Sequence, residues 1–463
     1  MQVFDFIILG AGPGGIAAAL RAAQLGASVC LVEGEWVGGV CLNKGCIPTK
    51  ALLRSARVFS QLKKSRELGI DVEGVDLDYK KVSERKDRIV DVLGRSLEDQ
   101  LRKQGVKVVS GRGRLQGPTE VEIRLSGGET QVVRAKSMIV ATGSVPFQTP
   151  TLPVDGSRVI TSDEALKLQS LPKSMLVIGG GFIGCEFGYL FNELGVEVVL
   201  VEAMAYLLSG MDLDLGMALA KCFTRKGMTV ITGAKVEGLS MKEGGACVHT
   251  DTETLEAEKV LVCLGRIPNT KGLGLEEVGV CLDKGGYVET DEYCRTSVPN
   301  IYAVGDVTNR RQLANIAFQQ GTVAVEHAMG STKAKMDYSV VPSCVFTQPE
   351  VATVGLAEET AVQKGFDVKV EIFALRALGK AWVAGETEGF TKVVAEAGSG
   401  KILGVHILGA YASFLIAEAA TAIKMGANLE ELASSMPVHP TFSEGLTEAA
   451  KNLLGKGMYM LEG

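Results

Sequence analysis

Residues 4–33 read FDFIILGAGPGGIAAALRAAQLGASVCLVE, and this stretch decides the fold. Phe4 to Leu9 is an apolar run of strand length. It feeds into Gly10-Ala11-Gly12-Pro13-Gly14-Gly15, after which alanines and leucines recur at helical spacing. A second strand, Ser28 to Val32, ends in Glu33. The same order returns later. Met175 to Ile178 leads into Gly179-Gly180-Gly181-Phe182-Ile183-Gly184, then a helix, then the strand Val198 to Val201 closed by Glu202. First glycine and glutamate stand 23 residues apart in both copies.

The spacing has a physical reason. Gly10 and Gly179 make the tight turn, and Gly12 and Gly181 let the backbone approach a pyrophosphate. Gly15 and Gly184 let the helix pack closely on its strand. The helix N-terminus supplies free N–H groups and a positive dipole to phosphates. Glu33 and Glu202 are placed to accept hydrogen bonds from an adenosine ribose. The repetition predicts two nucleotide-binding βαβ units in an α/β chain. Each half then shows a further apolar strand ending in a glycine turn. Ser137 to Ala141 precedes Thr142-Gly143-Ser144, and Lys259 to Leu264 precedes Gly265-Arg266. The first half is the longer between these landmarks, and its surplus follows Glu33.

That surplus opens Gly38-Gly39-Val40-Cys41-Leu42-Asn43-Lys44-Gly45-Cys46-Ile47-Pro48-Thr49-Lys50. Two cysteines five apart fit a metal half-site, a pair of core thiols, a structural bridge or a redox pair. A zinc site needs two more ligands, and the region holds no histidine and no other cysteine. A bridge closing so short a loop stabilises by only ~2 kcal/mol. A cycling dithiol beside a nucleotide cofactor is the favoured reading, and no metal is expected. Pro48 suits the first turn of a helix. Lys50 then shares a face with Cys46, where a cation favours thiolate over thiol.

Composition bounds the class. The chain has 463 residues, 56 of them glycine, with ten cysteines and four histidines. Glycine is in excess without a G-x-y period, so turns and close backbone approaches explain it. A net charge of −6 and no long basic run argue against nucleic acid or an anionic membrane as partner. No apolar stretch reaches membrane-spanning length. Ten cysteines in so long a chain are not a secreted disulfide scaffold. The N-terminus moves directly into a strand-like run without a signal-peptide pattern. The expectation is a soluble protein of the cytoplasm.

The GGxCLNxGCIPxK segment and the two glycine fingerprints around it resemble the pyridine nucleotide–disulfide oxidoreductases, over essentially the whole chain. Within that family the likeness is greatest to members that oxidise dihydrolipoyl groups. The resemblance implies two Rossmann-like domains for FAD and NAD and a C-terminal α+β dimerisation domain. FAD binding falls to 1–145 and 267–340, NAD binding to 146–266, and the interface to 341–463. Thr296-Ser-Val-Pro-Asn-Ile-Tyr-Ala-Val-Gly305-Asp306 resembles the second FAD motif, with Asp306 on a ribityl hydroxyl. Cys46 would face the flavin and Cys41 would meet substrate. Lys50 would sit beside the flavin ring and pair with Glu186.

The last third carries no glycine fingerprint. It alternates strand-like runs, Cys344 to Phe346 and Thr391 to Ala395, with an alanine-rich helix, Ser413 to Met425. Near the end stands His439-Pro440-Thr441-Phe442-Ser443-Glu444. Proline after histidine disfavours helix there, so the ring is presented from an extended turn. A carboxylate five residues on orients an imidazole and raises its basicity. Thiol–disulfide exchange needs such a base. The resemblance makes His439 and Glu444 the catalytic dyad, reaching the cysteines across a homodimer interface. Family members with this activity often carry a second histidine two positions earlier, where this chain has Pro437. His249, His327 and His406 show no comparable partner and read as structural or surface groups.

NAD is expected over NADP. Glu202 repels a 2′-phosphate, and residues 203–220 contain no Lys or Arg to neutralise one. The expected activity is oxidation of a lipoyl-bearing carrier protein, of a 2-oxo acid dehydrogenase or glycine cleavage complex, with hydride passing to NAD⁺. The alternatives are an NADH-dependent reductase of another disulfide and a flavin-binding redox sensor.

Overall fold

A computed structural model describes residues 2–459. Both repeats fold as the sequence predicts. The strand Val3–Leu9 runs into the helix Pro13–Gln24 and the strand Val29–Glu33. The second copy is Ser174–Ile178, Phe182–Glu193 and Glu197–Glu202. Observed ends differ from the expected ones by a residue or so, as frayed termini do.

In the first sheet, Val3–Leu9 is central, parallel to Val29–Glu33 on one side and to the end of Thr130–Val140 on the other. Lys107–Gly117 adds beyond Val29–Glu33. Glu120–Leu125 then connects it back, antiparallel, to Thr130–Val140. The final parallel strand, Ile301–Ala303, pairs with Met138–Val140 although the whole second repeat lies between them in sequence. Apolar residues on both faces, such as Phe6, Ile7, Ile8 and Ile139, are buried because helices and loops cover both sides. The helix Ala314–Ala328 packs on Pro13–Gln24 so closely that Gly321 lies against the Gly14 carbonyl.

The second sheet is parallel, ordered Thr229–Thr232, Glu197–Glu202, Ser174–Ile178, Lys259–Val262, Val159–Ile160. Where the chain passes between the two sheets it does so twice, side by side. Ser144–Pro146 and Arg266–Pro268 form a two-stranded antiparallel ladder. The third sheet is antiparallel, ordered Ser343–Val345, Glu350–Gly355, Ile402–Gly409, Phe390–Glu396, Val368–Ala374. Its core is shared with the helices Ala412–Met425 and Glu444–Leu453.

The surplus after Glu33 forms a short helix, Gly39–Asn43, and the helix Cys46–Lys63, with Pro48 in its first turn. It also forms the 25-residue helix Tyr79–Lys103, begun by Asp78, whose side chain accepts from Lys81 N. That long helix buries Tyr79, Ser83, Lys86 and Leu101 and little else, so its apolar signal in sequence is weak. Among the described residues no helix is long and apolar enough to cross a membrane.

Candidate active site

The two glycine turns have the same construction. Gly10 and Gly179 hold φ of +102° and +105°, the left-handed region that favours glycine. A Cβ on Gly15 would strike the Gly10 carbonyl oxygen, and one on Gly184 the Gly179 oxygen. By contrast a Cβ on Gly181 would meet nothing within 4 Å, and one on Gly12 only the Gly39 Cα at 4.0 Å. The middle glycines therefore border open space at helix N-termini that no side chain caps. That is the cradle a pyrophosphate requires.

The closing glutamates do more than sequence reasoning assigned. Glu33 accepts from Ala11 N at 2.7 Å and from Glu35 N at 2.8 Å. Glu202 accepts from Gly180 N at 2.7 Å and Met204 N at 2.8 Å. Each carboxylate thus also ties its strand end to the glycine turn. Thr142 Oγ1 donates to the Asn269 carbonyl at 2.8 Å, so Gly143 and the residues after Gly265 are joined across the two turns.

Between the first turn and the second repeat lies the cysteine pair. Cys41 and Cys46 are free thiols near enough that each is the leading influence, through a thiol–thiolate hydrogen bond, on the other's ionisation. Cys46 is lowered from its ordinary 9.0 to about 7. The bond from Cys41 is the leading cause; burial opposes it, Lys50 adds to it and Glu186 subtracts. Cys41 is pushed well up by the same bond, then by burial. The pair is therefore poised as one thiolate and one thiol.

Lys50 lies on the helix Cys46–Lys63 as expected and meets Glu186, at 2.8 and 2.7 Å to its two oxygens. Glu186 sits on the helix Phe182–Glu193 and is nearly buried. It also accepts from Phe346 N at 3.0 Å, and the Phe346 ring lies under the Lys50 ammonium at 4.7 Å. Phe346 had no signal in the sequence beyond an apolar run. Asp306 accepts from Ser144 Oγ at 2.7 Å, and Arg266 donates to Ser144 Oγ and O at 2.8 and 2.7 Å. Ser144 and Arg266 were visible only as neighbours of glycine turns. Their relay joins both strands of the crossing ladder to Asp306.

His439 and Glu444 form the expected pair, Nδ1 to Oε1 at 2.7 Å, and Thr441 N donates to the other oxygen at 2.8 Å. Glu444 opens the helix Glu444–Leu453, while His439 precedes a cis peptide to Pro440 and is 69% exposed on its side chain. No hydrogen bond joins it to Cys41 or Cys46 among the described residues. Around it runs a groove of about 410 Å³ lined by Met436, Pro437, Val438 and Thr441 among others. One expectation needs correction: His406 is not without a carboxylate. It is buried, with Nε2 3.9 Å from Asp212, Nδ1 at 2.6 Å from Thr353 Oγ1, and Nε2 also at 3.0 Å from the Leu356 carbonyl. Among the described residues no cluster suited to a metal ion occurs.

Comparison with known proteins agrees with this geometry. Residues 4–321 match the family model described as pyridine nucleotide-disulphide oxidoreductase, and residues 341–450 match the dimerisation domain of the same family. The chain is 40% identical to a dihydrolipoyl dehydrogenase of Bacillus subtilis, covering 98% of this chain and 99% of that one. Among solved structures it resembles LpdA from Mycobacterium tuberculosis, with a TM-score of 0.91 and 30% identity over 98% of this chain and 100% of that one. It also resembles the HOCl-induced flavoprotein disulfide reductase RclA from Escherichia coli, with a TM-score of 0.88 and 26% identity over 98% and 100% of the two chains.

Proposed function

Since this chain belongs to the pyridine nucleotide-disulphide oxidoreductases, we propose that it works as a dihydrolipoyl dehydrogenase through Cys41 and Cys46. Its cofactors are FAD and NAD. Gly10, Gly12, Gly15, Glu33, Thr142, Gly143 and Asp306 hold the first, with Lys50 beside it. Gly179, Gly181, Gly184, Glu202 and Gly265 hold the second. When bound, FAD would supply the two-electron chemistry that links the Cys41–Cys46 dithiol to hydride transfer onto NAD⁺.

The chain's own residues supply the thiol chemistry. In the oxidised enzyme Cys41 and Cys46 share a disulfide. One substrate thiol gives its proton to His439 Nε2, and the resulting thiolate attacks Cys41 Sγ, releasing Cys46 as thiolate. The second substrate thiol then attacks the substrate sulfur of the mixed disulfide. Cyclic lipoyl disulfide leaves, and Cys41 keeps the proton. Glu444 holds the His439 ring in place through Nδ1, leaving Nε2 to take the proton. Lys50, fixed by Glu186, stabilises the Cys46 thiolate.

The single observation that carries this reading is geometric: Cys41 and Cys46 lie together at the start of the helix that also holds Lys50, and Lys50 is clamped at 2.8 and 2.7 Å by the nearly buried Glu186 of the second nucleotide unit. A structural bridge or a pair of core thiols needs no such cation beside it. The protein acts as a homodimer, which supplies His439 to the partner's cysteines. Large apolar side chains left exposed in the C-terminal region, Phe414, Met425, Met436 and Val438, support that assembly. The carrier is a lipoyl-bearing protein of a 2-oxo acid dehydrogenase or glycine cleavage complex, in the cytoplasm. The division at residues 145, 266 and 340 is kept, and the crossing ladder supports its first two limits. Its outermost residues, 1 and 460–463, lie outside the described ones.

The test is NAD⁺ reduction by dihydrolipoamide, beside NADH and NADPH oxidation with lipoamide and glutathione disulfide. Cys46→Ser is expected to retain FAD and lose lipoamide turnover. Normal turnover in that variant refutes the mechanism. Activity with another disulfide alone favours the reductase alternative.

A further inference from the structure

A charge cluster centred on a buried lysine and a buried aspartate lies away from the cysteines, where the second nucleotide unit meets the third sheet. Lys392 and His406 are cross-strand partners on Phe390–Glu396 and Ile402–Gly409. The Lys392 side chain is wholly buried, a position such a residue holds only when paired. Its ammonium meets three carboxylates: Asp212 at 3.0 Å, Asp214 at 2.6 Å and Glu358 at 2.8 Å. Glu358 belongs to the C-terminal region, at the start of the helix Glu358–Gln363. Asp212 and Asp214 come from the second nucleotide unit, and Asp212 too is fully buried. It begins the helix Leu213–Arg225, its side chain accepting from Asp214 N.

Asp212 also ends the loop that follows Glu202. That loop is pressed onto the second glycine turn. Leu208 N donates to the Gly180 carbonyl at 2.8 Å, and a Cβ on Gly180 would strike the Leu207 side chain. Met204 N, at the start of the loop, donates to Glu202 itself. Leu208 holds φ of +55°, a left-handed conformation that costs a bulky residue and persists only where its surroundings enforce it. The loop is held in its middle by the Leu208–Gly180 bond and the burial of Leu207 and Leu208, and at its ends by Glu202 on one side and Asp212 on the other.

We propose that Lys392 is a positioning residue for the nicotinamide nucleotide: from the C-terminal sheet, through Asp212, it holds loop 203–212 and its strained Leu208 against the second glycine turn. The proposal rests on reading that turn as the NAD site. Lys392 touches no part of the site. It acts by fixing the far end of the loop whose near end carries the ribose-binding carboxylate. The Cys41–Cys46 pair and the first glycine turn lie outside this chain of contacts.

The experiment uses FAD-loaded Lys392→Met, Lys392→Arg and unaltered protein. Calorimetric titration with NAD⁺ reads affinity, and hydrogen exchange with mass spectrometry reads residues 203–212. For Lys392→Met we expect NAD⁺ affinity to fall about tenfold, the order set by losing one charge-assisted contact. Exchange should quicken over 203–212 and not over the first glycine turn, and Lys392→Arg should recover part of the affinity. If Lys392→Met does not fold, Lys392→Met with Asp212→Asn removes the tie without leaving that carboxylate buried alone, and the same loss is expected. Unchanged NAD⁺ affinity in the folded variant overturns the proposal. So does faster exchange spread over the whole chain, which marks general loosening. Failure of the unaltered protein to bind NAD⁺ is a different result: it overturns the nucleotide reading itself.

Discussion

Replacing Cys41 by alanine tests the thiol arrangement directly. In the structure Cys46 ionises at about 7 instead of 9.0, and the hydrogen bond from Cys41 is the first cause. At pH 7 a thiol of that pKa is about half thiolate, whereas one at 9 is about 1% thiolate. Removing the Cys41 donor leaves Lys50 as the main stabilising group, against burial and Glu186. The Cys46 midpoint should then move up to 9 or above, and alkylation at pH 7 should slow by roughly 50-fold or more, since only the thiolate reacts. The assay is anaerobic iodoacetamide labelling of the reduced holoenzyme from pH 5 to 10, with the Cys46 peptide quantified by mass spectrometry. Lys50→Met should move the midpoint in the same direction and less far. A midpoint that stays near 7 in Cys41→Ala refutes the hydrogen bond as the cause. An unaltered protein whose Cys46 titrates near 9 refutes the thiolate–thiol pair altogether.

Four further outcomes follow from the geometry. Gly184→Ala forces a Cβ into the Gly179 carbonyl and should cost ~3 kcal/mol of stability in urea unfolding. Gly181→Ala meets open space and should cost under ~1 kcal/mol while weakening NAD⁺ binding in calorimetry. Lys50→Met leaves Glu186 nearly buried without its cation; because Lys50 is partly solvated, a loss of about 2 kcal/mol is expected, and adding Glu186→Gln should restore part of it. A double-mutant cycle showing no coupling contradicts the pair. His406 is lowered below its ordinary 6.5 by burial, so the unfolded chain binds a proton there that the folded chain refuses. Stability from this site is full above 6.5 and declines as pH falls below it. His406→Gln should flatten the acid limb of the urea midpoint between pH 6.5 and 5, and an unchanged limb counts against the assignment.

The nucleotide folds were legible because glycine spacing reports backbone geometry directly. A turn at φ +102° and a helix pressed on its strand admit only glycine, so Gly10 and Gly15 announce them without knowledge of anything distant. The cysteine pair was legible for a related reason: both sulfurs come from one local segment. Lys50 with Glu186, and His439 with its dimer role, were reached through family resemblance, since no local pattern joins residues 136 positions apart. Lys392 was invisible. It reads as an ordinary lysine in an alternating strand, and its burial depends on carboxylates from another part of the chain. The long helix Tyr79–Lys103 is mostly polar, with few apolar residues to read, although those it has, such as Ile89, Leu93, Leu97 and Leu101, recur at helical spacing.

The pairing of Ile301–Ala303 with Met138–Val140 has a consequence for how the protein is made. The ribosome releases the first nucleotide-binding sheet one strand short. At about 5–20 residues per second, roughly 10–30 s of synthesis separate the two partner strands. During that interval the edge of Thr130–Val140 is unpaired and open to other chains. The second unit, whose five parallel strands all lie between residues 159 and 262, has every piece it needs within the same interval. The nascent chain can therefore close its second nucleotide unit before its first.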